Sequence, residues 1–121
     1  GTAEMYDRCL EQVRPGVPSS NIAKAAVAVA ERRGLKDCLY SSPNVKAGFM
    51  GHAIGTHYHD PPWIGLLENT ELVENMVLVL EPILRKKGVG GVLIEDAVLV
   101  TAEGGERLSN LDIRPWRSIP S

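Results

Sequence analysis

All three histidines of the chain, His52, His57 and His59, lie in one short stretch, Gly51–Pro62. Imidazole is the side chain best suited to bind a divalent transition metal or to transfer protons near neutral pH. The clustering therefore favours a metal site or a proton-transfer site. The alternative is that these imidazoles only cap a surface turn, and the histidines alone leave both interpretations open.

Two apolar runs in the last third of the chain predict β-strands. Met76–Leu80 and Val92–Val100 are rich in Val, Leu and Ile, and the glycine-rich, charged segment Lys86–Gly91 separates them. This pattern predicts an antiparallel hairpin. A second turn is expected at Ala102–Gly105, before an irregular tail that includes Trp116.

Glu81 and Glu95 stand out because each interrupts or ends one of these apolar runs. If the hairpin is symmetric about Gly88, facing residues have numbers that add up to 176, and Glu81 then faces Glu95. Opposed like charges are destabilising, and a buried lone carboxylate costs several kcal/mol. A shared cation would remove both objections. The alternative is a slipped register that lets both glutamates reach solvent.

Two amphipathic helices are expected upstream. Residues 3–13 place apolar side chains at helical spacing until Pro15-Gly16. Ser19-Ser20-Asn21 offers capping side chains for a second helix, which Gly34 closes. Its apolar stripe is expected to pack on the protein's own sheet, although a partner-binding face is the alternative; the stripe comprises Ile22, Ala25, Ala26, Val29 and Ala30.

Two segments are predicted to be irregular, Leu35–Lys46 and Asp60–Thr70. Proline cannot donate a hydrogen bond within a sheet, so a strand that reaches Pro61 and Pro62 should end there or run along a sheet edge. We expect Trp63 to plug the core, with a substrate-facing position as the alternative.

The composition is that of one soluble globular domain. The 121 residues are 44% hydrophobic and 23% charged, with a net charge of -2. That charge gives no electrostatic basis for binding nucleic acid or an anionic membrane. No membrane span or signal peptide stands out, so a cytoplasmic location is expected. Cys9 and Cys38 are expected to be reduced packing residues, with a disulfide as the alternative.

Four ordered motifs resemble the second half of the pita-bread metallopeptidases, the family of methionine aminopeptidase, Xaa-Pro aminopeptidase, prolidase and creatinase. His59 follows His52 by seven residues, and Glu81 and Glu95 follow it by 29 and 43, as in the prolidase-like branch. The resemblance covers roughly residues 5–108. The motifs are Gly51-His52-Ala53-Ile54-Gly55, His59-Asp60-Pro61-Pro62, Glu81-Pro82 and Ile94-Glu95-Asp96.

The resemblance implies a role for each matching residue. His52, Glu81 and Glu95 match metal ligands of a site for two divalent ions, which could be Mn, Co, Zn or Fe. Glu81 also matches the carboxylate that activates the bridging water, and Glu95 matches the one shared by both metals. His59 matches a histidine that contacts the substrate and stabilises the reacting carbonyl. His57 has no role in the family pattern; it is a candidate for substrate contact at the rim, with plain solvent exposure favoured.

The chain also departs from the family pattern. The family site takes two further aspartates from an earlier strand pair, and no such segment precedes Tyr6. Asn75 stands where the family usually has glycine, and an asparagine tolerates the same left-handed backbone. Ile83 replaces another glycine. Leu93 stands where prolidase-like members often have arginine, which weakens the match to prolidase itself.

We therefore expect an α+β fold, with two N-terminal helices packed on a curved, mainly antiparallel sheet, in which residues 1–121 form the C-terminal part of a pita-bread catalytic domain. The resemblance implies a fragment of a dinuclear metal-dependent peptidase that hydrolyses short Xaa-Pro peptides, inactive alone. Its partners would be the peptide, the missing N-terminal half and a second copy in a homodimer. The alternatives are a creatinase-like hydrolase of a small C–N bond and a non-catalytic peptide- or protein-binding pseudoenzyme.

Overall fold

The computed structural model describes residues 1–39, 49–55 and 60–112. In these ranges two α-helices precede seven short strands, as the α+β prediction required. The sheet of five strands has the order β2-β1-β3-β6-β7, and β4 and β5 form a separate two-stranded sheet; all strand pairs are antiparallel. The elements are α1 (Thr2–Glu11), α2 (Ser19–Arg32), a 3-10 turn (Lys36–Cys38), β1 (Gly51–Ala53), β2 (Asp60–Ile64), β3 (Val77–Leu80), β4 (Ile83–Lys86), β5 (Gly90–Leu93), β6 (Asp96–Thr101) and β7 (Gly104–Arg107).

Both helices bury their apolar stripes against each other and against the sheet, so the partner-binding alternative for α2 is wrong. Gly34 follows α2 with a φ of 68°, the left-handed conformation expected of a closing glycine. The predicted serine caps are not formed. The Ser19 and Ser20 hydroxyls instead donate hydrogen bonds to the Glu68 carbonyl (3.0 Å) and to the Asn69 side chain (2.8 Å), which tie α2 to the loop after β2.

The cysteines fit the expected packing role. Cys9 is buried in the core, where burial raises the pKa of its thiol to about 12, and its thiol donates to the Ile22 carbonyl. Cys38 is partly exposed, and both thiols are free. Within the described ranges, no helix is long and apolar enough to cross a membrane.

One face of the five-stranded sheet forms the core with the helices. Because side chains alternate along a strand, residues two apart share a face. The face toward the helices is mostly buried and apolar, and its polar positions include Asp96 at the start of β6 and Arg107 at the end of β7. Its members include Ala53, Ile64, Leu78, Leu80, Val98 and Val100.

The predicted hairpin has the predicted register. Val77 pairs with Leu99 and Leu80 with Asp96 in one ladder, and Ile83 pairs with Leu93 in the other. Each pair adds up to 176, and Gly88 sits in the turn with a φ of 78°. The expectation of one unbroken strand over Val92–Val100 was wrong, however.

The hairpin divides into two ladders at Glu81-Pro82 and Ile94-Glu95. Pro82 has no N–H to donate, so the ladder cannot continue through it in the regular way. The amide of Ile94 reaches the Pro82 carbonyl at a long 3.4 Å. The second predicted turn is confirmed, because β6 and β7 are joined through Ala102 and Glu103.

The segment after the histidines is more regular than predicted. Asp60–Ile64 forms β2, which lies at the edge of the sheet and, among the strands that the structure describes, pairs only with β1. The edge position, one of the two options that the prolines allowed, explains how a strand can contain Pro61 and Pro62. Asn75 adopts a φ of 74°, as its replacement of a glycine predicted.

Candidate metal centre

His52 lies on β1, in the interior of the sheet, because Gly51 lets β1 approach β3 closely. The φ of Gly51 is 154°, and a Cβ at this position would overlap the carbonyl oxygen of Val79. Only glycine meets both conditions. The imidazole that follows is 1% exposed and points to the face of the sheet opposite the helices, hereafter the site face.

The His52 ring has a defined tautomer. Its Nδ1 lies 2.8 Å from the carbonyl oxygen of Ala53. A carbonyl oxygen can only accept a hydrogen bond, so Nδ1 carries a proton, and in the neutral ring Nε2 then presents a lone pair. Metal-binding histidines commonly hold their rings in this way, with the second nitrogen donating to a carbonyl or carboxylate.

Glu81 lies next to that lone pair. The distance between His52 Nε2 and Glu81 Oε1 is 3.9 Å, and the Glu81 side chain is only 13% exposed. Its backbone amide donates to the Met50 carbonyl at 2.8 Å, which ties the residue after β3 to the start of β1. Burial, followed by the nearby charge of Glu95, raises the pKa of the Glu81 carboxyl, while His52 acts in the opposite direction.

Glu95 faces Glu81 across the break in the hairpin. The pairs on either side, Leu80 with Asp96 and the bond from Ile94 to Pro82, fix this placement, so the slipped register is wrong. Unlike Glu81, Glu95 is exposed. Within the described ranges, no three or more His, Cys, Asp or Glu side chains come close enough together to hold a metal ion. His52, Glu81 and Glu95 thus share one region without closing a cage.

Trp63 on β2 packs against the His52 ring on the site face. The expectation that Trp63 plugs the core was therefore wrong. Trp63 is paired with His52 across β1 and β2, and the two rings meet nearly edge to face with centroids 6.3 Å apart. Its side chain is 37% exposed, because an edge strand leaves one flank of the ring uncovered. Phe49 packs on the same indole at 6.3 Å. Phe49 was not predicted as a site residue, although its proximity to His52 in sequence was a usable signal.

The remaining predicted site residues, His57 and His59, lie outside the described residues, as does Trp116. Their roles stay predictions. The described ends of their segment are close together, because Ala53 pairs with Asp60 and the carboxylate of Asp60 lies against Gly55.

Comparison with known proteins connects this arrangement to a family. Residues 2–102 match the model of metallopeptidase family M24. The Xaa-Pro dipeptidase of Pyrococcus furiosus is 31% identical over 109 residues, which are 90% of this chain and 29% of that protein. The chain thus spans less than a third of the length of this relative.

Solved structures give the same picture. The prolidase from Pyrococcus furiosus superposes with a TM-score of 0.82 and 31% identity, over 92% of this chain and 31% of that one. The X-Pro aminopeptidase from Thermotoga maritima gives a TM-score of 0.82 and 26% identity, over 92% of this chain and 30% of that one. The two helices and antiparallel sheet described above are therefore part of the prolidase-like pita-bread fold, and the chain belongs to metallopeptidase family M24.

Proposed function

We propose that this chain supplies part of the active site of a peptidase that depends on two divalent metal ions and cleaves short Xaa-Pro peptides. His52, Glu81 and Glu95 are the proposed metal ligands. The observation that carries the proposal is the geometry at His52, where Nδ1 is bound by the Ala53 carbonyl and Nε2 lies 3.9 Å from the Glu81 carboxylate. A lone pair and a carboxylate that converge on one point suit a cation.

The types of ligand in this chain suit such ions, but the number of ligands is too small for two ions. Nitrogen and oxygen ligands suit manganese, iron, cobalt and zinc alike. One imidazole and two carboxylates are too few to hold two ions in a fixed geometry, so further ligands are proposed to come from the N-terminal half of the domain. The bound ions would supply Lewis acidity and lower the pKa of water.

The residues of this chain have distinct tasks in that reaction. Glu81 is proposed to take up the proton released from water, because its carboxylate lies 3.9 Å from His52 Nε2 at the proposed metal position. His52 keeps its lone pair directed at the site because Ala53 fixes its tautomer. His59 is proposed to contact the substrate and stabilise the reacting carbonyl, and His57 to touch the substrate at the rim.

The names of the relatives support the substrate class. The similar protein from Pyrococcus furiosus is a Xaa-Pro dipeptidase, and the similar Thermotoga maritima structure is an X-Pro aminopeptidase. The partly exposed ring of Trp63, beside His52, offers an apolar surface that a proline ring could pack against.

Hydrolysis assays test the proposal. A full-length protein that contains this chain should cleave Xaa-Pro dipeptides only with Mn²⁺ or Co²⁺, and Glu81→Gln or His52→Ala should abolish the cleavage. Glu4→Gln, on the far surface of α1, serves as the control and should leave activity unchanged. Metal-independent turnover, or full activity in Glu81→Gln, would contradict the proposal. The 121-residue chain alone should show no turnover at any metal concentration.

Association measurements test the proposed partners. Apolar side chains are exposed on β5 and around the site face, including Ile54, Val92 and Leu93. We expect the chain to self-associate or to bind the N-terminal half of its domain, because such surface is usually covered. Sedimentation velocity that finds a monomer at high concentration, with no binding to the added N-terminal half, would count against this expectation.

A further inference from the structure

Glu95 lies between two strands, so the regular hydrogen bonds of a β-ladder do not fix its position. β5 ends at Leu93 and β6 begins at Asp96, so Glu95 lies in the gap between two ladders. On one side, Ile94 is buried in the core, and its amide donates the long 3.4 Å bond to the Pro82 carbonyl. A metal ligand must be held within a fraction of an ångström to be effective. The other neighbour, Asp96, has a polar side chain and is a second candidate for an anchor.

Asp96 is held by several hydrogen bonds at once. Its Oδ2 accepts from Arg107 Nε (2.9 Å) and from the Ser109 hydroxyl (2.8 Å), and a terminal guanidinium nitrogen of Arg107 lies 2.7 Å away. Its Oδ1 accepts from the backbone amide of Ala97 at 2.8 Å. The Asp96 side chain is only 9% exposed. Paired, partly buried contacts of this kind are the strong ones.

Arg107 is itself fixed from two further directions. Its guanidinium donates to the Leu111 carbonyl at 2.7 Å and lies 5.8 Å from the centre of the Tyr6 ring on α1. Tyr6 is fully buried in the core. Asp96, Arg107 and Ser109, hereafter the Asp96 clamp, therefore join the start of β6 to the end of β7 and to α1.

The clamp and Glu95 lie on opposite faces of the same backbone segment. Arg107 lies over Tyr6, so Asp96 points toward α1, and adjacent residues of an extended chain point to opposite faces. Fixing the Asp96 side chain fixes the peptide that joins it to Glu95. We propose that the Asp96 clamp is a positioning device that holds Glu95 in place for metal binding. The inference rests on the proposed role of Glu95 as a ligand.

Backbone dynamics test the clamp without metal. In the wild-type chain the ¹⁵N order parameter of the Glu95 amide should be close to that of rigid backbone, about 0.85, and in Asp96→Asn it should fall below about 0.6. Ser109→Ala should lower it as well, while Ser109→Thr, which keeps the hydroxyl, should restore it. Ser20→Ala is the matched control, since it also removes a hydroxyl that donates at 2.8 Å to a side chain. It should leave Glu95 unchanged.

Mn²⁺ affinity of the same variants provides a second readout. Asp96→Asn should weaken binding about 10- to 100-fold, the usual effect of removing a residue that orients a ligand, and Ser20→Ala should not. If Glu95 keeps its order in both Asp96→Asn and Ser109→Ala, the clamp proposal is overturned. It is also overturned if Asp96→Asn binds Mn²⁺ like wild type while Glu95→Gln does not, and the proposed function then survives. If Glu95→Gln itself binds normally, the assignment of Glu95 as a ligand fails and the clamp proposal fails with it.

Discussion

The two faces of the five-stranded sheet are built from the same strands but serve different purposes. On the face toward the helices, Leu78 and Leu80 are completely buried among apolar neighbours. On the site face, one position away along each strand, lie His52 and Glu81, with a half-covered Trp63 beside them. Strand alternation thus allows one backbone to carry a core and a polar site together.

The difference shows which interactions fix the site. His52 is buried on the site face beside Trp63 and Glu81, and contacts with the backbone and with the opposite face help to fix the positions of the site residues. Gly51 allows β1 to approach β3 closely, the Ala53 carbonyl orients His52, and Arg107 anchors Asp96, the residue after Glu95. Substitutions on the two faces should therefore differ in size and in kind.

Gly51→Ala should have the largest effect, because it disturbs both faces. A Cβ would overlap the Val79 carbonyl, and a φ of 154° is unfavourable for alanine. We expect the free energy of unfolding to fall by about 4 kcal/mol, since backbone strain and steric overlap each typically cost about 1–3 kcal/mol. Gly88→Ala is the control, because Gly88 also has a positive φ, of 78°, but has open space around it. Urea unfolding that gives equal losses for the two variants would refute the close approach of β1 to β3.

Two leucine substitutions, one on each face of the sheet, compare the burial of the two faces directly. Leu78→Ala, toward the helices, should cost about 3 kcal/mol, because a fully buried leucine leaves a cavity. Leu99→Ala, on the site face, should cost less than half of that, because this leucine is only partly buried. Both can be measured by urea unfolding of the metal-free chain. Equal costs would mean that the site face is covered as completely as the core.

The smallest effect is the pH dependence that Glu81 causes. Its pKa in the fold is raised above the ordinary value of 4.5. The unfolded chain therefore releases this proton first, and the metal-free fold should lose stability as pH rises from about 4.5 to the raised value. Glu81→Gln should abolish the change in the free energy of unfolding that Glu81 causes over this pH window, which is up to about 1 kcal/mol. The prediction is wrong if the free energy of unfolding of the wild type, compared with that of Glu81→Gln, instead rises with pH over that window.

Much of this arrangement could be predicted from sequence, because local patterns determine it. Alternation and turn glycines gave the register that places Glu81 opposite Glu95, and the glycine-like role of Asn75 followed from its residue type. The break between β5 and β6 was missed, because Val92–Val100 is uniformly apolar apart from its acids and the effect of Pro82 acts from the facing strand.

The Asp96 clamp was missed for a different reason. It depends on β7, whose short sequence Gly104–Arg107 gives little strand signal. A signal did exist, because the register Thr101 with Gly104, extended along the hairpin, brings Asp96 opposite Ser109. The exposure of Trp63 was not predicted, although the edge position that Pro61 and Pro62 allowed for this strand was a usable signal.

Thermal melts of the wild-type chain and of Glu81→Gln, each with chelator and with Mn²⁺, test most directly whether His52, Glu81 and Glu95 form a cation site. With chelator, Glu81→Gln should melt higher than wild type, because it removes the charge that burial and Glu95 oppose. With Mn²⁺, the wild type should gain stability, by about 2.7 kcal/mol at a hundred times the dissociation constant, and Glu81→Gln should gain far less. A variant that melts lower than wild type with chelator and still responds fully to Mn²⁺ would contradict the account.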